Sequence, residues 1–463
     1  MFQEATYQQR RTKLKNDIKK GIILLLGNEE SSMNYKDNLY PFRQDSSFLY
    51  FTGLNRPGLA LLIDPEQGTE ILFGDELTVE DIVWMGPQTP LRDEAAQAGL
   101  LTVQPSKALD AAIQKIQSGK RALHFLPPYR PETALKISAY LQLPTTAIAA
   151  QASVPLIKAI VAQRSVKSAE EVAEITKAVN TTAAMQLAAM QQARAGITEA
   201  ALAGILQGLA VSAGGNLSFP TILTVNGQYL HNHYSDSILQ PGQTVLCDCG
   251  AATAMQYAGD MTRTFPVDQQ FSTRQKEIYN IVLHSYQQAV AALKPGRLFK
   301  DIHLLACAAL TEGLQQIGLM KGDIQESVAA GAHTLFFPCG LGHMLGLDTH
   351  DMENLGEAYV GYTDNLKQST EFGLKSLRLG RTLEAGFVVT VEPGLYFTPQ
   401  LIDAWKQEKK LASFINYDKL EAYRQAGGTR IEEDFLITPD GYQLLGDPLP
   451  ITAEGIETIR QAI

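Results

Sequence analysis

The chain is poor in cysteine. Four occur in 463 residues: Cys247, Cys249, Cys307 and Cys339. Their spacing fits neither a disulfide framework nor a zinc ribbon. Cys247 and Cys249 fall on one face of an apolar run and read as buried, reduced thiols, which leads to the expectation of a reducing, cytoplasmic compartment. Long hydrophobic runs are lacking near the N-terminus. Ile22–Leu26 is far too short to span a bilayer, and the opening MFQEATYQQRRTK holds no signal-peptide core, so no membrane partner is expected. Positive charge is also in deficit, with 39 Lys and Arg against 49 Asp and Glu and a formal net charge of −10. A nucleic-acid binder would carry the opposite balance, so no nucleic acid is expected. The first 150 or so residues contain no glycine loop of the kind that cradles phosphates, and no nucleotide is expected there.

What is present is ordinary for a globular enzyme: 45% hydrophobic and 19% charged residues. From about residue 20 to 150, short apolar runs (Ile22–Leu26, Leu59–Ile63, Glu70–Phe73, Ala122–Phe125) alternate with helical patterns (Asp81–Val83, Ser106–Ile116). This predicts an α/β domain with a central sheet. A polar break is read at Val161–Lys167. Ser168 and Glu171 then form a capping box before a long helix that should run to Ala195-Gly196, with a second helix from near Thr198. The domains are therefore placed at 1–160 and 161–463. Beyond Ser218, strands (Ile222–Val225, Thr244–Cys249, Phe387–Glu392, Glu433–Ile437) mix with helices (Thr273–Leu293, Phe299–Ile317), the pattern of an α+β domain.

One stretch of that second domain carries the chemistry. Thr244–Val267 reads as a strand, a turn of small residues and a returning strand. A hairpin would bring Asp248 and Asp260 together on the face opposite Cys247 and Cys249. Two adjacent carboxylates repel if both ionise, and a cation between them removes the conflict. An Asp followed by Gly is also the composition of a plain turn.

Three later segments bear on the choice. His343 lies among glycines in Pro338-Cys339-Gly340-Leu341-Gly342-His343, followed by Thr349-His350-Asp351. Glu392 ends an apolar strand at Thr390-Val391-Glu392-Pro393, where an unpaired carboxylate would be costly. Glu432 lies in Gly428-Thr429-Arg430-Ile431-Glu432-Glu433-Asp434, although three successive acids are also what a solvated turn looks like. Together these give four carboxylates and one imidazole. That donor set suits Mn²⁺, Fe²⁺, Co²⁺ or Zn²⁺ in a two-metal site, the carboxylates offsetting the charge of two divalent ions.

These pieces, in this order, resemble the pita-bread metallopeptidases, the group that includes methionine aminopeptidase, aminopeptidase P and prolidase. The resemblance covers about residues 165–440. It implies a pita-bread catalytic domain with metal ligands Asp248, Asp260, His343, Glu392 and Glu432. Two histidines that the family places beside the ligands match His231 and His350. Tyr40-Pro41-Phe42-Arg43-Gln44-Asp45-Ser46 is similar to the N-terminal domain of aminopeptidase P and prolidase. Gly373–Arg378 and the insert Phe397–Gly428 are most similar to prolidase of the eukaryotic type, where an Arg matching Arg378 binds a dipeptide carboxylate. Cys339 departs from the pattern, since the family usually has His there.

The resemblance further implies two divalent ions, Mn²⁺ foremost, that activate a water. Asp260 and Glu432 would bridge them, Glu392 would also shuttle a proton, and His231 and His350 would stabilise the tetrahedral intermediate. Arg378, His350 and Arg430 fall on the substrate side. The expected substrate is a peptide with proline second, cleaved after its first residue, and the expected assembly is a homodimer. A Xaa-Pro dipeptidase is the first reading and a Xaa-Pro aminopeptidase acting on longer peptides the second. A non-catalytic binding module is disfavoured because such relatives typically lose ligands.

Overall fold

Ile22–Leu26 is apolar on both faces, as a strand covered on both sides must be. In the computed structural model, which describes residues 1–462, it lies inside a five-stranded sheet. Antiparallel Ala60–Asp64 flanks it on one side and parallel Leu123–His124 on the other, with Thr69–Phe73 and Val103–Gln104 completing the sheet beyond Ala60–Asp64. One face packs Ile22, Leu24, Ala60, Leu62 and Phe73 against Leu109 and Ile113 of the helix Leu109–Ser118. The i, i+2 spacing of those strand residues is what puts them on one face.

This first unit spans Met1–Arg164 together with the later segment Met352–Tyr359. Most of its helices have no counterpart in the expectation, Leu91–Gln97 and Pro131–Leu141 among them, and two more show why. Glu4–Ile18 has no apolar stripe to reveal it. It is held instead by a buried cation: Arg11, fully enclosed, donates to the Phe51 and Ala98 carbonyls at 2.9 and 2.8 Å and pairs with Glu70 at 2.8 Å. Ser46–Thr52 is capped by Asp45, which accepts from the Phe48 amide at 2.8 Å. The neighbouring Gln44 is also buried. It accepts from the Asn28 amide and donates to the Leu54 and Arg56 carbonyls.

The stretch Val161–Lys167, expected as a polar break, does hold the division between the two units, between Arg164 and Ser165, but it is not a solvated linker. Val154–Ser165 is helical, and Gln163, Arg164 and Ser165 are all buried. Their polarity serves internal contacts, such as Arg164 donating to the Ser47 hydroxyl at 3.0 Å, rather than solvent.

The second unit, Ser165–Asp351 with Val360 onward, opens at the capping box: Ser168 and Glu171 exchange hydrogen bonds across the first turn of Ala169–Gln192. That helix stops at Gln192, short of Gly196, and Thr198 caps the next, Glu199–Ser212. Helices Thr273–Ala291 and Phe299–Gln316 pack together. One sheet is ordered Met261–Pro266, Thr244–Cys249, Ile222–Thr224, all antiparallel. A second is ordered Val388–Val391, Glu433–Ile437, Tyr442–Leu444, and Gly394–Tyr396 pairs with Gly428–Arg430. The insert Phe397–Gly428 carries a helix, Pro399–Gln407. A bridge between Thr262 and Glu432 joins the first two sheets.

Arg263 pins that junction from behind. It is fully buried, pairs with Glu433, and donates to the Thr262 and Glu432 carbonyls, both at 3.1 Å. Removing one partner of a buried pair strands the other. Arg263→Leu is therefore expected to lower unfolding free energy by about 3–5 kcal/mol in urea titration. Arg263→Leu combined with Glu433→Gln should recover part of the loss. A single variant as stable as the parent would show that the pair does not hold the sheets together.

Candidate active site

The hairpin forms, with a register that refines the expectation. Thr262, not Asp260, stands opposite Asp248, and Met261 stands opposite Cys249. Asp260 precedes Thr262 by two positions, so it shares the face of Asp248 as a diagonal neighbour. Cys247 and Cys249 point the other way, fully buried with their sulfurs 4.0 Å apart. Gln186 of the long helix donates to the Cys247 and Met261 carbonyls there.

Glu432, Glu433 and Asp434 are all buried, so this is no solvated turn. Strand alternation separates them. Glu432 accepts from the Thr262 hydroxyl at 2.7 Å on the site side. Glu433 turns away to Arg263 and the Tyr286 hydroxyl. Asp434 returns and accepts from the Asp260 amide at 3.0 Å, fixing the backbone that carries Asp260.

His343 arrives on a segment that runs beside the strand bearing Glu392. The Glu392 amide donates to the Leu341 carbonyl at 2.7 Å and the Thr390 amide to the His343 carbonyl at 3.0 Å. Glycine at 342 is what permits this approach, because a Cβ there would lie 2.1 Å from the Thr390 carbonyl oxygen. Nδ1 of His343 lies 3.0 Å from the Met344 carbonyl, which fixes the proton on Nδ1 and leaves Nε2 as a lone-pair donor. That Nε2 is 3.4 Å from Asp260 and 3.8 Å from Glu392. One ligand atom each from Asp260, His343 and Glu432 falls within 4.8 Å of the others.

Arg430 lies among these acids, buried. It donates to Asp248, to the Tyr396 hydroxyl at 2.9 Å and to the Thr262 hydroxyl at 3.1 Å. Its contacts make it the group that orients Asp248, although its surface also borders the cavity. His350 stacks edge-on to His343, ring centres 4.4 Å apart, and is half-buried. His231 is exposed at the rim. Both line the cavity of about 460 Å³ with Arg378, Cys339 and the five candidate ligands.

The electrostatics are those of a site short of positive charge. Burial, then the charges of Asp248, Asp434 and Glu392, holds the Asp260 carboxyl far above its usual range. Burial and then Asp260 do the same to Glu432, and burial raises Glu392. Burial lowers His343, keeping it neutral. Asp248 Oδ1, Asp260 Oδ1 and Glu432 Oε1 are buried without a hydrogen-bond partner. Unpartnered carboxylate oxygens converging beside a neutral imidazole are the donor set for hard or borderline divalent cations. The residues fit such ions.

The comparisons with known proteins agree. Residues 173–439 match the model of metallopeptidase family M24, more than half the chain. The chain belongs to that family. Residues 7–124 match the aminopeptidase P N-terminal domain, so the M24 pita-bread unit follows an α/β unit of that kind. A probable Xaa-Pro aminopeptidase of Fusarium vanettenii is 31% identical over 91% of this chain and 88% of its own length. The human Xaa-Pro dipeptidase is 29% identical over 94% of this chain and 88% of its own. A Glu-to-Ala variant of Escherichia coli aminopeptidase P in complex with substrate superposes with a TM-score of 0.82 at 26% identity, covering 100% of this chain and 99% of that one.

Within this M24 site, sequence reasoning had missed Thr262, Tyr396 and Asp434. Asp434 was findable, since it lies i+2 from Glu432 on one strand face. Thr262 and Tyr396 carry no signal until the register is known. Cys339 lies against the Tyr396 hydroxyl, and burial pushes its thiol up to about 12, which makes it a slow nucleophile at neutral pH.

His343→Ala should therefore lose bound metal together with activity, as measured by elemental analysis alongside turnover. His350→Ala and His231→Ala should keep the metal and slow turnover roughly ten- to a thousandfold, the range for losing a transition-state donor. Equal metal loss in all three would mean that the two kinds of histidine are wrongly divided. Asp260→Asn or Glu432→Gln should abolish turnover, and full activity in either folded variant would remove that carboxylate from the site.

Proposed function

We propose that this M24 enzyme hydrolyses the Xaa-Pro bond of dipeptides, with Arg378 binding the substrate carboxylate. The observation that carries the reading is the position of Arg378. It is half-buried in the cavity wall, on the loop after Leu374–Ser376, and its charge acts on His231, His343 and Glu392. In a dipeptide the terminal carboxylate lies one residue from the scissile bond, so a cation within electrostatic reach of the ligands suits it. A guanidinium fork matches a carboxylate in two hydrogen bonds. Phe219, Pro220, Ile222 and Leu230 give the same cavity an apolar side for a proline ring. Relatives named as Xaa-Pro dipeptidase and as Xaa-Pro aminopeptidase both support proline at the second position.

Asp248, Asp260, His343, Glu392 and Glu432 would hold two divalent cations, for which Mn²⁺ is our first choice. Such ions supply an acidified water and a polarised carbonyl. The chain does the rest. Arg430 holds Asp248 in place, and the Met344 carbonyl holds the His343 ring. Glu392 is the more accessible acid of the cluster, its side chain 19% exposed against 2% for Glu432. It would take a proton from the attacking water and return it to the leaving proline nitrogen. His350 and His231 donate to the oxygen that becomes negative. An Xaa-Pro aminopeptidase would share all of this and differ only in leaving the far side of proline open.

Losing a charge-assisted, partly buried contact costs about 2–5 kcal/mol. Arg378→Ala should thus lower kcat/KM for an Ala-Pro dipeptide by roughly tenfold to a thousandfold and scarcely affect a longer or amidated X-Pro peptide. A wild-type enzyme that prefers the longer peptide, with a variant that loses equally on both, would replace this reading with the aminopeptidase. Chelation should inactivate toward both substrates, and Mn²⁺ or Co²⁺ should restore activity.

A further inference from the structure

A second group of potential metal ligands lies apart from the carboxylates and shares none of them. His303 and Cys307 are four residues apart on Phe299–Gln316, one turn along a single helix face. His333 comes from the short 3₁₀ turn Ala332–Leu335, entered through Gly331 at φ 75°. That left-handed residue turns the chain after the helix Ile324–Ala329. All three side chains are buried, and one donor atom from each falls within 4.8 Å of the others.

Nε2 of His303 is 3.5 Å from the Cys307 sulfur. A thiol–imidazole hydrogen bond has that length. So does the edge of a tetrahedral zinc site, roughly 3.3–3.6 Å from its Zn–N and Zn–S bond lengths. The hydrogen bond leaves the rest of the group unexplained, because Nδ1 of His303 and Nδ1 of His333 are both buried with no partner. One ion held at Nε2 of His303 cannot also reach Nδ1 of that ring, so it is the orphaned Nδ1 of His333 that calls for an occupant beside the His303–Cys307 pair.

We propose that His303, Cys307 and His333 bind a single borderline divalent ion of the Zn²⁺ type. Two imidazoles and a thiol exclude Mg²⁺ and Ca²⁺, which take oxygen, and favour Zn²⁺ or Co²⁺. Burial keeps both rings neutral, with His303 lowered to about 3 and His333 to about 4, so their lone pairs are available near pH 7. Burial pushes the Cys307 thiol up, so it stays protonated without an ion and binds as thiolate only as the S–metal bond forms and its proton leaves to solvent. The 3₁₀ turn begins the stretch that continues through Pro338–Gly342 to His343. An ion here therefore ties the approach to the catalytic histidine to the helix Phe299–Gln316.

The test uses the full chain. The ligands of the carboxylate centre offer oxygen and nitrogen, so a thiolate-to-cobalt charge-transfer band in the Co²⁺-loaded protein reports this site. The band is expected in wild type and in Cys339→Ser, the pocket cysteine whose charge also reaches Cys307, and is expected to vanish in Cys307→Ser. In an Asp260→Asn, Glu432→Gln double variant grown with zinc, elemental analysis should still find about one ion per chain. The proposal is overturned by a wild-type protein with no such band, by a band lost in Cys339→Ser but kept in Cys307→Ser, or by a metal-free double variant. The wild-type spectrum and the double variant leave the cluster unaltered, so a Cys307→Ser chain that fails to fold does not block the decision.

Discussion

Repulsion among buried carboxylates is the constraint on which the catalytic unit depends. Asp248, Asp260 and Glu432 are buried, Glu392 is nearly so, and Asp434 backs them. At an effective dielectric near 20, two charges about 4 Å apart repel by about 4 kcal/mol. Several such terms would exceed the net stability of an ordinary domain, about 5–15 kcal/mol, if every group ionised without cations. Arg430 relieves part of this. Burial and this repulsion raise the carboxyls of Asp260 and Glu432, and a pair of divalent ions would remove much of the cause.

The surrounding structure holds these groups together against that repulsion. Asp260 is held through its amide by Asp434, and Glu432 through its carboxylate by Thr262. Arg263 closes the junction from the opposite side through Glu433. One strand thus sends alternate acids to two tasks, with Glu432 and Asp434 facing the site and Glu433 locking the sheets. His343 depends on a backbone approach that admits no side chain at Gly342.

Much of this was legible in the residues, for physical reasons that differ by element. Ile22–Leu26 was readable because burial on both faces makes it apolar throughout, and Thr244–Cys249 because its residues alternate between the cysteine face and the Asp248 face. The capping box at Ser168 was readable because its hydrogen bonds are local. The helix Glu4–Ile18 was not, because what holds it is Arg11 reaching Phe51, Ala98 and Glu70, partners far away in sequence. Val154–Ser165 was misread for the same reason, its polar end being buried. In the site, the ordered acids and His343 announced themselves. The Asp248–Arg430–Tyr396 chain did not, because it exists only once the strands are paired.

That division also explains why substrate choice is the hardest property to read. The ligand cluster is over-determined: each member is held by backbone register, a buried partner, or both. Relatives named as Xaa-Pro aminopeptidase and as Xaa-Pro dipeptidase align with more than 90% of this chain at nearly the same identity, so that likeness carries no information on length. Length is decided where a substrate's far end meets protein, at the cavity wall and rim. There His231 is exposed, His350 half-buried, and Arg378 stands on a loop with little regular structure. The backbone at Arg378 is packed tightly, with Leu377 and Leu379 buried on either side and its carbonyl against Gly361, so the side chain at 378 can vary more readily than the loop that carries it. On the function proposed above, the carboxylate cluster would fix the chemistry, and the side chain of Arg378 would fix what that chemistry is applied to.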